Sequence, residues 1–186
     1  MKILTLHVHS ELAEDGRHIS TMGLDMAHGF GAFHHRNQMV QHIFTSPLVA
    51  TIETAAVMVV ENPAFSQSCR HPVIDGLGSD AALMHLHNEK FEDLIAGGVS
   101  VMEAFTASHD CDAQHVFEVE AMGAIHQMFS CMEDGEMGVG VFHSSFIILA
   151  AYLCGLRDVH TLDILEAVVF EFRGEHNIIA KRKLIS

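Results

Sequence analysis

The sequence predicts an α/β fold: a three-layer α/β/α sandwich around a mostly parallel central sheet. Three observations carry that expectation. Short β-branched apolar runs alternate with longer stretches of helical periodicity, the pattern of helices laid on both faces of a sheet. The chain has 186 residues, so residues 1–186 are expected to form one domain. Hydrophobic residues make up 49% and charged residues 18%, a globular composition rather than a disordered one.

The elements follow in order. Lys2 to Val8 (KILTLHV) is β-branched and apolar and reads as a buried strand. A polar loop with Gly16 leads to Ser20 or Thr21, either of which caps a helix with Met22, Met26, Phe30 and Phe33 as its apolar stripe. Gly29 and Gly31 weaken that helix. His42 to Thr45 is a second strand. Pro47 suits a first helical turn, and Leu48, Ile52, Ala55 and Val59 mark the buried face of the next helix, which Asn62-Pro63 stops. Val73-Ile74 is the candidate third strand, Gly76 to Asp80 a loop, and Ala81 to Ala96 a helix broken by Gly97-Gly98. A short helix to Phe105 follows. Gln114 to Met132 reads as a helix with Val116, Val119, Met122, Phe129 and Met132 on its inner side. Met137 to Phe142 is a strand, Ser144 or Ser145 caps an apolar helix ending at Gly155, and Ala167 to Phe172 with Asn177 to Leu184 form a hairpin.

Composition excludes some functions. Twenty-four acids against ten Lys and Arg give a net charge of −14, which leaves little material for a nucleic-acid-binding face. Arg173, Lys181, Arg182 and Lys183 read as a solvated terminal strand. The longest apolar run, Phe146 to Cys154, is far shorter than the ~20 residues of a membrane span. The start of the chain has no secretory-signal pattern, and four cysteines without a CxxC pair read as reduced, mostly buried thiols, so the expected location is cytoplasmic. The 16 histidines are scattered and form no metal-binding tract.

Ligands of such sheets sit at the carboxyl ends of the strands. There the first strand and a late strand are each followed directly by a histidine, His9 and His143. Here the chain resembles the histidine phosphatase superfamily, which includes the phosphoglycerate mutases. That family opens with a strand and Arg-His-Gly-Glu, and this chain has Val8-His9-Ser10-Glu11. The family then has Ser-Ser-Pro-Leu-x-Arg-Ala-x-Gln-Thr-Ala at a helix start, and this chain has Thr45-Ser46-Pro47-Leu48-Val49-Ala50-Thr51-Ile52-Glu53-Thr54-Ala55. Its last landmark, a strand followed by Ser-His-x-x-x-Ile, matches Phe142-His143-Ser144-Ser145-Phe146-Ile147. Length and the weak middle region look most like the small bacterial phosphohistidine phosphatases.

The resemblance implies hydrolysis of a phosphomonoester or a protein phosphohistidine with no cofactor. His9 would be the nucleophile that becomes phosphohistidine, and His143 the donor to the equatorial oxygens. Ser10, Arg17 and Ser46 are the candidate phosphate-binding residues, and Asp75 and Asp80 the candidate general acids. The partner would be a small phosphorylated substrate or a phosphohistidine protein.

The departures bear on rate. The family's two phosphate-clamping arginines fall on Val8 and Ala50. A hydrogen bond to a charged group contributes roughly 1.5–3 kcal/mol, so two losses cost on the order of 100- to 10,000-fold. Arg17, Arg70 or His7 could supply replacement charge, and a protonated histidine would move the activity optimum well below pH 7. A catalytically inactive binding relative is one alternative. Another comes from Leu6-His7-Val8-His9-Ser10, which also resembles the His-x-His opening of the polymerase-and-histidinol-phosphatase family, with His7 and His9 as metal ligands. His85 and His87, two apart on the expected helix, point away from each other and are not read as a metal pair. His34-His35 reads as a helix end.

Overall fold

The computed structural model describes residues 1–33, 39–61, 65–70, 73–74, 86–174 and 177–183. The elements are β1 (Lys2–Val8), α1 (Thr21–Phe33), β2 (Val40–Thr45), α2 (Val49–Glu61), β3 (Phe65–Arg70), α3 (Glu89–Ala96), α4 (Val101–Ser108), α5 (Cys111–Ser130), β4 (Met137–Phe142), α6 (Ser144–Leu153), β5 (Ala167–Phe172) and β6 (Ile178–Lys183). The six strands form one sheet in the order β3-β2-β4-β1-β5-β6. The β3-β2, β2-β4 and β4-β1 pairs are parallel, and β5 runs antiparallel to both β1 and β6.

Each face of the sheet carries its own core. Leu4, Leu6 and Phe44 point to one side, where Ile125 and Phe129 of α5 and Phe146 of α6 cover them. Ile43, Val139 and Val141 point to the other, against Phe30 of α1 and Met58 of α2. This is the expected sandwich with a mostly parallel sheet.

Several local expectations are corrected. The third strand is Phe65–Arg70, not Val73-Ile74; Val73 makes only an isolated bridge to Thr45. Its polar sequence, FSQSCR, carries no apolar signal because it lies at the sheet edge. On α1 the inward residues are Ala27 and Phe30, while Met22 and Met26 are exposed. On α2 Ile52 is exposed, and Thr51, Thr54, Ala55 and Met58 are buried. The long helix begins at Cys111 and buries Phe117, Ala121, Ala124, Ile125, Met128 and Phe129, leaving Val116 and Val119 in solvent. Cys111 is an exposed free thiol, and Cys131 and Cys154 are free and partly exposed. Three of the terminal basic residues make ion pairs along the hairpin: Arg173 and Lys181 share Glu171, and Arg182 pairs with Glu166.

The two α1 glycines differ in kind. A Cβ on Gly31 would lie 2.8 Å from both the Cα and the carbonyl oxygen of Met58, so Gly31 sets how closely α1 approaches α2. A Cβ on Gly29 would meet nothing within 4 Å. Gly31→Ala is therefore expected to lower stability by about 1–3 kcal/mol, because Met58 backbone must give way. Gly29→Ala is expected to raise it by roughly 0.5–1 kcal/mol through helix propensity. Urea unfolding of the two variants checks the opposite signs.

Candidate active site

The sheet register builds the site. β1 and β4 are adjacent parallel strands with Val8 opposite Phe142, so their next residues, His9 and His143, emerge side by side. The His9 amide continues the ladder by donating to the Phe142 carbonyl at 3.1 Å. The two ring centroids lie 5.5 Å apart with the planes tilted by 44°. Both histidines thus sit at the carboxyl end of the parallel strands.

Each ring has its tautomer fixed by backbone. His9 Nδ1–H donates to the Ser10 carbonyl at 2.8 Å, which leaves Nε2 as a lone-pair nitrogen. Burial lowers the His9 pKa, and the Ser10 carbonyl opposes that only in part. His9 is therefore a neutral imidazole, the form a nucleophile needs. His143 is the N-cap of α6, and its Nδ1 accepts the Ser145 amide at 3.4 Å. With Nδ1 an acceptor, neutral His143 carries its proton on Nε2 and can donate it. Burial pushes the His143 pKa down to about 3, with further lowering from His87 and His9. The expected Ser144 or Ser145 cap is corrected to His143, a residue type less common at that position than serine.

A third histidine joins them. The His87 ring meets His143 edge-on, 5.0 Å between centroids, and packs on Phe91 at 4.9 Å. Its Nδ1 lies 2.5 Å from the Glu92 carboxylate and its Nε2 lies 3.0 Å from Ser145 Oγ. The expected helix over 81–96 placed His87 in its interior. Leu86 is helical, the chain breaks at 87–88, and a new helix begins at Glu89, with Asn88 as N-cap accepting from the Phe91 amide at 2.9 Å. His87 precedes that cap and turns into the site. Asn88 followed by acids in the first turn was the legible signal.

The other candidates are placed differently. Ser10 is fully buried; its hydroxyl donates to the Gly23 carbonyl at 2.7 Å, and its amide to Thr54 Oγ1 at 3.0 Å. Ser46 is also fully buried, its hydroxyl 2.9 Å from Thr51 Oγ1. Both hydroxyls are thus engaged by protein atoms. Arg17 is exposed in a turn whose charged neighbours include Asp15 and His18. Val8 and Ala50, where the family's arginines would stand, are buried. His7 Nδ1–H donates to the Leu165 carbonyl at 3.0 Å, and its ring packs edge-on to Phe30 at 4.8 Å, so His7 and His9 have different neighbours. Among the described residues no group of three histidine, cysteine or acidic side chains is placed to hold a metal ion. Asp75, Asp80, His85 and His34-His35 lie outside the described residues, as does the Arg70 side chain. Among the described residues, no helix is long and apolar enough to cross a membrane.

No protein-family model matches the sequence, and no curated protein does. Solved structures do match. A YhfR protein from Bacillus stearothermophilus has a TM-score of 0.65 at 13% identity, covering 98% of this chain and 96% of its own. A phosphoserine phosphatase from Entamoeba histolytica, solved with phosphoserine, has 0.63 at 13%, covering 97% and 95%. A mycobacterial glucosyl-3-phosphoglycerate phosphatase has 0.63 at 12%, covering 98% and 97%. These neighbours are members of the histidine phosphatase superfamily, and this chain shares their α/β fold from end to end.

Proposed function

We propose that the protein hydrolyses a phosphomonoester, or a phosphohistidine on a partner protein, through a phospho-His9 intermediate. The observation that carries this reading is the complementary pair of tautomers. His9 offers an Nε2 lone pair, and His143, 5.5 Å away between ring centroids, offers an Nε2 proton. The nucleophile attacks phosphorus, and the neighbouring donor steadies the charge on the equatorial oxygens. The fold neighbours act on small phosphorylated molecules, as their names state, and the same substrate class is our reading here. The resemblance to the small phosphohistidine phosphatases supports the second substrate class. Free thiols at Cys111, Cys131 and Cys154 suit a cytoplasmic setting.

Val8 and Ala50 stand where the resemblance places the two phosphate-clamping arginines. Among the described residues no arginine or lysine hydrogen-bonds to His9, His143 or His87. Turnover is therefore expected to be slower by roughly 100- to 10,000-fold than with two arginines in place. The test is to trap the intermediate in a chelator-treated sample with p-nitrophenyl phosphate. Acid-labile, base-stable phosphate on His9, mapped by mass spectrometry, is the expected result. Turnover that appears only with added Mn or Zn would instead favour metal-dependent chemistry, and no turnover at all a binding relative.

A further inference from the structure

Phosphoryl transfer from an alkyl ester leaves an alkoxide that needs a proton, and neither ring of the central pair is set to give one. His9 holds its single proton on the Ser10 carbonyl. His143 has its one available proton committed to the equatorial oxygens in the proposed mechanism. His87 is differently placed. Its Nδ1 faces a carboxylate, Glu92, which supplies the counter-charge for a second proton on the ring. Its Nε2 faces the hydroxyl of Ser145, which accepts as readily as it donates. The groups around it are Glu92 and Phe91 of α3, His143 at the end of β4, and Ser145 of α6. The row Ser145-His87-Glu92 has the spacing of a nucleophile-base-acid relay. Ser145, however, is 4% exposed, and its amide is bonded to His143, so its hydroxyl is closed to a bulky carbonyl substrate.

We infer that His87, held and charge-balanced by Glu92, is the proton donor to the leaving group. The inference rests on the phospho-His9 reading and names the acid for that site. In the first step the His9 Nε2 lone pair forms the N–P bond as the P–O ester bond breaks. The departing oxygen takes the electron pair and the proton from His87 Nε2. In the second step water attacks the phosphohistidine and gives its proton back to His87, while the P–N electron pair returns to His9. Both steps balance without a metal or co-reactant. Glu92 touches no substrate and acts through His87 as a positioning residue.

Leaving-group dependence separates this role from a structural one. p-Nitrophenolate leaves unaided, whereas the glycerol alkoxide of 2-phosphoglycerol does not. His87→Asn is expected to lose about 100-fold or more in kcat/KM on 2-phosphoglycerol and only a few-fold on p-nitrophenyl phosphate. Glu92→Gln is expected to show the same selectivity at about a tenth of that size. It also serves should His87→Asn fold poorly. Equal losses on both substrates, or none on 2-phosphoglycerol, overturn the assignment while leaving phospho-His9 chemistry intact. A wild-type protein that forms no phospho-His9 overturns the underlying reading, and this inference with it.

Discussion

His9→Asn is expected to abolish phosphatase turnover, by roughly three orders of magnitude or more, while the protein still folds. The Asn side-chain amide can occupy the place of Nδ1 and keep the bond to the Ser10 carbonyl, but it has no nucleophilic nitrogen. His143→Asn probes the other half of the pair. Asparagine is among the best N-caps, so α6 keeps its first turn. The Nε2 proton is gone, and losing one donor to a developing oxyanion costs about 100- to 1,000-fold. His143→Gln reverses the trade, because its amide reaches the Nε2 position but caps poorly. We therefore expect His143→Asn to be the more stable variant and His143→Gln the more active one. Steady-state rates with chemical unfolding of the same preparations check the crossing order. If the two variants rank the same way in both measurements, the double role of His143 is wrong.

The second large effect is on stability in acid. The unfolded chain protonates His9 and His143 as the pH falls below about 6.5. The folded chain resists, because burial lowers both, and His143 takes its proton only near 3. Between those limits the unfolded state binds more protons, so stability is full above about pH 6.5 and falls with pH below it. The slope is about 1.4 kcal/mol per pH unit for each histidine still neutral in the native state. His18, raised by its hydrogen bond to Glu53, runs the opposite way but is exposed and contributes little. Urea unfolding at pH 7, 6 and 5 is expected to show the loss, and His143→Asn to flatten it by one histidine's share. An unchanged slope in that variant would mean His143 is protonated in the folded protein. The same burial argues against His9 or His143 serving as the cation that an acid activity optimum would need.

Much of this architecture was legible in the sequence because it rests on buried strands. β1 and β4 are mostly apolar and largely buried, and the residues that follow them were identifiable as strand-end histidines without knowing the register. The polar edge strand β3 was not legible, since an edge strand has no apolar face to announce it. Helix faces were misjudged where a methionine or valine could serve either side, as with Met22, Met26, Val116 and Val119. Ser10 and Ser46 matched the family pattern by position, but which acceptor a serine hydroxyl finds depends on backbone brought in from Gly23 or on Thr51. The expected 81–96 helix runs straight through His87, whereas the chain breaks there, between helical Leu86 and the new helix at Glu89. A single N-cap, Asn88, decides whether that ring lies along a helix or turns into the site.

The bond from the Ser145 amide to His143 Nδ1 has a kinetic meaning. An imidazole carries protons by exchanging them between its two nitrogens, taking one up on one side and releasing it on the other. His143 cannot do so while it holds the first turn of α6, because placing a proton on Nδ1 would set two N–H groups against each other. The cap makes His143 a one-sided group: it lends a proton to an oxygen and takes the same one back. Net proton traffic through the pocket must then run along another path.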